Sequence, residues 1–208
     1  MKKYSYIGIA FIILIFGIYA IPKIVNKLKT PTLVTIAKVP PFEFTNQDGK
    51  LISKSFYENK VYVVEFFFTT CPTICPKMNE NMLKIQNEFY GNQDFGIASF
   101  SINPKYDTPE ILKEYAKSHG ATSKNWNFLT GEQDKIYELA NTGFTLYAGE
   151  DSNAEGGFEH SGMFALVDKK GNIRSRLDEY GNPIAFYDGL DPKGVQQIKE
   201  DIKILLEE

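Results

Sequence analysis

Apolar positions follow two different periods along the chain, and the two periods alternate. Runs with apolar residues at every second position, or without interruption, predict strands, as in VYVVEFFF at residues 61–68. Apolar residues three or four positions apart predict helices. The predicted strands are residues 61–68, 95–102, 126–131 and two strands within 162–178, and the predicted helices are residues 76–89, 107–120, 132–143 and 191–208.

The order of these elements predicts the fold class. Strands that alternate with helices indicate a sheet with a parallel centre, and the two adjacent late strands add an antiparallel part. Residues 42–53 alternate around Asp48-Gly49, which predicts an N-terminal hairpin. A central strand that ends in a loop with two cysteines and continues into a helix is typical of thioredoxin-like proteins. We therefore predict an α/β, thioredoxin-like fold, with a central mixed sheet flanked by helices.

An uncharged segment precedes this pattern. Residues 4–21, from Tyr4 to Ile21, contain no charge, and a membrane span needs about 17–25 such residues. The alternative is a cleaved signal peptide. Its apolar stretch is usually about 7–15 residues, and Ile18, two positions before Ala20, fits the small-residue cleavage pattern poorly. We predict a single N-terminal transmembrane helix, with residues 1–29 as membrane anchor and basic flank.

The charges are distributed unevenly. Residues 1–29 contain five lysines and no acid, so the rest of the chain has 18 basic and 26 acidic residues and a formal charge of −8. Without a basic stripe, nucleic-acid binding is disfavoured. Residues 30–41 are predicted as a tether and residues 42–208 as one domain. The lysines after the span favour the cytoplasmic side for this domain. A thiol pair favours the periplasm or another extracytoplasmic side, which is the side that we predict.

The two cysteines of the chain, Cys71 and Cys75, lie between the strand at 61–68 and the next predicted helix. The N-terminus of a helix favours thiolate over thiol, and both metal ligands and nucleophiles need thiolate. Three interpretations compete: a structural disulfide, a redox-active pair, or two soft metal ligands. A disulfide that closes so short a loop stabilises little. Two thiolates favour a soft ion such as Cu(I), with a third ligand to complete the site.

Two histidines are candidates for that third ligand. His119 lies at the predicted C-terminus of a helix, where the helix dipole accounts for it. His160 follows a glycine-rich loop and opens a predicted strand, so the pattern leaves open whether it is a solvated surface residue or points at the cysteines. Three methionines, Met78, Met82 and Met163, lie on apolar stripes and are predicted as core residues.

Several stretches resemble the Sco/SenC family of copper-binding proteins, in the same order as in that family. They are FEFTNQDGK, VYVVEFFFTTCPTICPKMNENM, SFSINPKYDTPEILKEYAKSHG, WNFLTG and EHSGMFALVDKKGNI, within residues 40–205. The Cys-Pro-x-x-Cys-Pro motif and the later His-Ser before a strand are the most specific. The resemblance implies that Cys71, Cys75 and His160 bind Cu(I) or Cu(II). It also implies a role in assembling the copper centre of cytochrome c oxidase, with that enzyme's copper-site subunit, or another copper or thiol protein, as the partner.

The chain departs from the family pattern at two acids. The family often has Asp-Pro and Asp-His where this chain has Asn103-Pro104 and Glu159-His160. Glu159 keeps its negative charge, whereas Asn103 loses one. Residues 179–192 match no pattern of the family.

Two function classes remain open, a copper delivery protein and an enzyme. The enzyme would be a thiol-disulfide oxidoreductase, in which Cys71 attacks a disulfide, Cys75 resolves the mixed species and His160 is dispensable. A peroxiredoxin-like peroxidase is disfavoured. Its motif expects threonine at the position of Phe68, and no arginine lies near the cysteines to activate a thiolate. Copper delivery is the first prediction, and thiol reduction is the alternative.

Overall fold

The computed structural model describes residues 5–28, 31–154 and 156–208. The chain divides into two compact units, Met1–Thr32 and Leu33–Glu208. The second unit contains both cysteines and both histidines, and it is the body of the protein.

The first unit contains helix α1, Ser5–Leu28. Among the residues that the structure describes, no helix combines the length and apolar character needed to cross a membrane. The transmembrane helix predicted for residues 4–21 is therefore corrected to a longer helix that includes Pro22, Lys23 and Lys27, so that the apolar stretch is only part of its length. Residues 1–4 and 29–30 of the predicted anchor and flank lie outside the described residues.

A mixed sheet forms the centre of the body, as predicted. Its strands are β1 Leu33–Lys38, β2 Glu43–Asn46, β3 Leu51–Ser53, β4 Val61–Phe67, β5 Phe95–Ser101, β6 Trp126–Thr130, β9 Met163–Val167, β10 Asn172–Arg176 and β11 Tyr187–Asp188, and a separate hairpin contains β7 Ala148–Glu150 and β8 Phe158–His160. The order in the sheet is β1-β10-β9-β4-β5-β6-β2-β3, with β11 added beside β9. Strands β4, β5 and β6 pair in parallel, and the other pairs are antiparallel.

Three α-helices of the body connect strands, and a fourth follows the last strand. They are α2 Cys75–Glu88, α3 Pro109–Ser118, α4 Gln133–Glu138 and α5 Pro192–Glu207. Each corresponds to a predicted helix, because apolar residues at helical spacing need a buried face and the sheet provides it. The third predicted helix, 132–143, is α-helical only to Glu138 and continues as a π-helical turn, Leu139–Gly143.

Two N-terminal predictions have different outcomes. The hairpin is confirmed, because β2 and β3 pair around a turn in which Gly49 has a φ of 71°. The segment 30–41 was predicted as a tether, whereas Leu33–Lys38 within it forms strand β1 and pairs with β10. Three prolines and a weak pattern in that segment gave no sign of the partner strand, which lies more than 130 residues further along the chain.

The three methionines predicted as core residues also have different outcomes. Met78 and Met82 of α2 are 1% and 0% exposed and belong to the core, as predicted. Met163 was predicted as core but is 36% exposed. It occupies the first position of β9 and pairs with Asp188 of the two-residue strand β11, at the margin of the sheet.

The start of α5 provides a test of local helix stability. Asp191 is the N-cap of this helix and its carboxylate accepts a hydrogen bond from the Lys193 amide, at 3.0 Å. We expect Asp191→Ala to lower the free energy of unfolding by about 1 kcal/mol, because an orphan amide at the helix start loses its acceptor. Urea denaturation measures this. The matched control, Asp94→Ala in the exposed loop before β5, is expected to change it by less than about 0.5 kcal/mol.

Candidate metal centre

The cysteine loop begins where the buried central strand ends. All seven residues of β4 are buried, and Cys71 follows four residues after its end. Cys75 is the first residue of α2 and Pro76 occupies the first turn, one residue further into the helix than predicted. Proline suits this position because the first amides of a helix have no partner within it. The loop therefore holds both sulfurs near the positive end of the helix dipole.

His160 is brought to the cysteines by a hairpin that the sequence pattern did not reveal. The glycine-rich segment before His160 was predicted as a loop, but Ala148–Glu150 pairs with Phe158–His160, and Ala148 lies opposite His160. His160 therefore ends β8 instead of opening a strand. The His160 ring packs edge-on against Phe68, at 5.8 Å between ring centres. Phe68 directly follows the central strand, so the hairpin and the cysteine loop share this contact.

The three side chains converge on one small volume. The Cys71 Sγ, the Cys75 Sγ and a ring nitrogen of His160 all lie within 4.8 Å of one another. The Cys75 Sγ is 3.1 Å from His160 Nε2. His160 Nδ1 lies 3.1 Å from the Ser161 carbonyl oxygen, to which an Nδ1–H donates, and this leaves Nε2 free to accept a proton or bind a metal. Cys71 is 8% exposed and Cys75 only 1%, so Cys71 is the sulfur that a partner reaches first.

The two thiols have opposite acidities. The pKa of Cys71 is lowered to about 3, chiefly by the hydrogen bond from the Cys75 thiol and further by His160, the Cys75 amide and the Thr73 hydroxyl. The pKa of Cys75 is raised, because its thiol donates to the Cys71 thiolate and is buried. The reduced pair therefore holds one thiolate, at Cys71, and one proton, at Cys75.

This distribution predicts the pH dependence of alkylation. A pKa below the usual value near 9 means that Cys71 is already ionised at pH 5, so we expect its rate with iodoacetamide to stay nearly constant between pH 5 and 8. In Cys75→Ala the donor is lost and the pKa rises, so the rate should increase by up to about tenfold per pH unit. Mass spectrometry of quenched samples measures both rates. A steep rise with pH in the unmodified protein would contradict the assignment.

Asp107 fixes the cysteine loop, and sequence analysis assigned it only to a helix start. Its carboxylate accepts hydrogen bonds from the Thr69 amide at 3.1 Å, from the Thr69 hydroxyl and from the Ser101 hydroxyl, and Asp107 is fully buried. Thr108 is instead the N-cap of α3. Asp107 therefore ties the residues just before Cys71 to the end of β5.

Glu65 is a second buried acid that sequence analysis did not select. It lies within β4, is fully buried, and accepts a hydrogen bond from the Ser99 hydroxyl at 2.6 Å. Its other carboxylate oxygen, Oε2, has no hydrogen-bond partner among the described residues. Burial raises the pKa of Glu65 to about 7, against the opposing effects of Ser99 and His160. In the sequence, Glu65 stands out as a charged residue inside an apolar run, and this was the sign that could have identified it.

The donor set fits a soft metal ion. Two thiol sulfurs and one imidazole nitrogen within 4.8 Å of one another match the preference of Cu(I) for thiolate, with imidazole as a ligand that copper also accepts. Three ligands leave a position open to a donor from a partner. The remaining histidine does not take part: His119 caps the end of α3 and stacks on Tyr115, at 4.1 Å, as its predicted structural role requires.

Comparisons with known proteins identify the family of the chain. The SCO1/SenC family model matches residues 32–191. The SCO1 protein homolog of Bacillus subtilis is 33% identical over 168 residues, which cover 80% of this chain and 81% of the relative.

Two solved structures are similar in fold. BsSco, described as a member of the Sco family of cytochrome c oxidase assembly proteins with a disulfide switch, is 32% identical, with a TM-score of 0.68 over 87% of this chain and 98% of that chain. Bradyrhizobium japonicum ScoI, solved with copper bound, is 21% identical, with a TM-score of 0.63 over 82% of this chain and 100% of that chain, and supports the fold. On the family match and the Bacillus relative, the chain belongs to the SCO1/SenC family.

Proposed function

We propose that this protein is a copper-binding protein that delivers copper during assembly of cytochrome c oxidase. The observation that carries the proposal is the convergence of Cys71, Cys75 and His160 within 4.8 Å of one another on a SCO1/SenC fold. The donor set supports copper as the cargo, and the similarity to BsSco, a member of the Sco family of cytochrome c oxidase assembly proteins, supports the process.

The geometry supports a specific order of events at the centre. Cys71 is already a thiolate and is the more exposed sulfur, so it is the first ligand to meet an incoming ion and the first that a partner can replace. Cys75 binds after it loses its proton. His160 is held by Ser161 with Nε2 directed at Cys75, so the third ligand needs no rearrangement of its ring. Copper then passes to partner thiols by exchange of one ligand at a time.

The alternative proposal is reduction of the partner's copper-site cysteines. The pair has the features of a dithiol reductant, with a low-pKa outer thiolate and a buried thiol that resolves the mixed disulfide. The disulfide switch described for BsSco supports it. In this role His160 would be dispensable.

A copper titration separates the two proposals. The reduced body, residues 33–208, is titrated with Cu(I) against a chromophoric chelator, and then mixed with a peptide that carries two thiols or the corresponding disulfide. Delivery is expected to give one tightly bound copper per chain and its transfer to the dithiol peptide. Reduction is expected to give weak copper binding and conversion of the disulfide peptide to the dithiol.

We further propose that the body works outside the cytoplasm and stays near a membrane through α1. Large apolar side chains of this helix between Ile9 and Ile21 are more than half exposed, and an exposed apolar patch of this kind marks a membrane or protein contact. Disulfide chemistry also needs an oxidising compartment. Fractionation of cells that express the full chain, or residues 33–208 alone, tests this: only the full chain should sediment with membranes.

A further inference from the structure

Glu65 is a buried acid that neither copper binding nor thiol exchange uses directly. It lies six residues before Cys71, on the strand that leads into the cysteine loop. A buried carboxylate costs free energy unless its oxygens are hydrogen-bonded. Here one oxygen is bonded to Ser99, and the other has no partner within the described part of the chain. Its position therefore needs an explanation beyond packing.

Strand geometry places the Glu65 carboxylate beneath the start of α2. Successive strand side chains point to opposite faces, so Glu65 shares a face with Phe67. The Phe67 ring packs against Tyr115 of α3, at 5.4 Å between centres, and the Tyr115 hydroxyl is hydrogen-bonded to Asn79, one turn after Cys75. The same face carries Ser99, which lies opposite Glu65 in β5 and accepts a hydrogen bond from Trp126 at 2.9 Å.

Two of the groups that interact electrostatically with Glu65 belong to the candidate centre. Its carboxylate interacts with His160, which favours the ionised form, and with the thiol of Cys75, whose pKa it raises. It also raises the pKa of Tyr115. Of these, Cys75 and His160 come from the candidate metal centre, and Tyr115 from the helix packed against Phe67.

We propose that Glu65 is a positioning residue whose charge sets the balance between the dithiol and the disulfide of Cys71 and Cys75. The sulfurs of the reduced pair lie at the N-terminus of α2, where the helix dipole favours a thiolate, whereas the disulfide carries no charge. An ionised Glu65 repels the thiolate and favours the disulfide, and a protonated Glu65 does not. The proposal deepens the proposed function, because only the dithiol can bind copper, and it rests on this pair cycling between the two states.

The balance can be measured with glutathione, without copper. The Cys71 thiolate and the Cys75 thiol give an electron pair to glutathione disulfide, a disulfide forms between the two cysteines, and one glutathione thiolate and one glutathione thiol are released. The full chain is equilibrated in glutathione buffers at pH 6.0 and pH 8.5, quenched with acid, and the fraction of disulfide is measured by mass spectrometry. The unmodified protein is compared with Glu65→Gln, which keeps the shape and an acceptor for Ser99 but removes the charge.

At pH 8.5 we expect the disulfide of Glu65→Gln to be about tenfold easier to reduce than that of the unmodified protein, which corresponds to about 30 mV. At pH 6.0, where the native carboxyl is mostly protonated, the two should agree within about twofold. Glu150→Gln is the matched control: it removes the same charge from an exposed position on the His160 hairpin and should follow the unmodified protein at both pH values.

If Glu65 had only a structural role, the difference between Glu65→Gln and the unmodified protein would not depend on pH in this way. An equal difference at both pH values, or no difference at either, would overturn the proposal, as would a pair that forms no disulfide.

If Glu65→Gln does not fold, Ser99→Ala provides a second test in which the charge of Glu65 is retained. Loss of the hydrogen bond from Ser99 raises the pKa of Glu65. The pH at which the thiol–disulfide balance changes should therefore move upward, and an unchanged pH profile would reject the proposal.

The test also separates this proposal from copper delivery. A chain that binds no copper yet shows the expected pH dependence would reject copper delivery and retain this role for Glu65.

Discussion

Cys75→Ser is expected to weaken Cu(I) binding by at least about a hundredfold. Even the loss of a group that only orients a metal ligand costs about 10–100-fold in affinity, and this variant removes a ligand that lies 3.1 Å from His160 Nε2. Serine keeps the size of the side chain, so the fold around the buried site is retained. Competition with a chromophoric Cu(I) chelator under reducing conditions measures the affinity.

Two histidine variants make this result specific. His160→Ala is expected to weaken binding by about tenfold, because two soft thiolates remain. His119→Ala is the matched control, since the His119 ring lies at the end of α3, where it packs against Tyr115 and its Nδ1–H donates to the Tyr115 carbonyl. The affinity of this variant should equal that of the unmodified protein. Equal affinities for the unmodified protein, His160→Ala and His119→Ala would contradict the three-ligand site and favour the oxidoreductase.

Asp201→Ala is expected to lower the free energy of unfolding by about 3–5 kcal/mol, the largest stability effect that we predict. Asp201 of α5 is fully buried and accepts two hydrogen bonds from Arg176, at 2.9 and 2.8 Å, and one from the Tyr187 hydroxyl at 2.6 Å. Arg176 is 9% exposed, and among the described residues the removal of Asp201 leaves its side chain with only Glu200 and the Gln197 carbonyl as hydrogen-bond partners. Urea denaturation followed by circular dichroism measures the effect.

A double substitution distinguishes a lost interaction from a stranded charge. Arg176→Met with Asp201→Leu replaces the ion pair by apolar side chains and is expected to restore most of the lost stability. Glu80→Ala breaks two exposed ion pairs on α2, with Lys77 and Lys84, and should lower the free energy of unfolding by about 1 kcal/mol or less. An Asp201→Ala variant as stable as Glu80→Ala would show that the buried pair contributes no more than a surface pair.

Pattern analysis predicted elements whose stability is decided locally. The run at 61–68 predicted a buried central strand, and the helical stripe that starts at Met78 predicted α2, because each pattern needs one particular backbone period to bury its apolar residues. Proline after Cys75 predicted the start of α2 to within one residue. The resemblance to a known family, and not periodicity, implied that His160 belongs with the cysteines.

Predictions failed where a distant partner decides the structure. Leu33–Lys38 forms a strand only because β10 offers an edge, and Ala148–Glu150 forms one only because Phe158–His160 returns beside it. Met163 alternates correctly for a core position, yet it lies at the margin of the sheet and is exposed. In each case the local pattern is weak or ambiguous, and pairing or burial at long range decides.

The sequence by itself determined the α/β class, the strand–loop–helix unit and the placing of two cysteines at the N-terminus of a helix, because these follow from apolar spacing and from proline within a few residues. Only the tertiary structure decided that His160 Nε2 lies 3.1 Å from Cys75, that Asp107 holds the cysteine loop, and that Glu65 is buried and bonded to Ser99. Those contacts join residues between 34 and 85 positions apart. Their formation depends on how the whole sheet pairs, a property that no local segment carries.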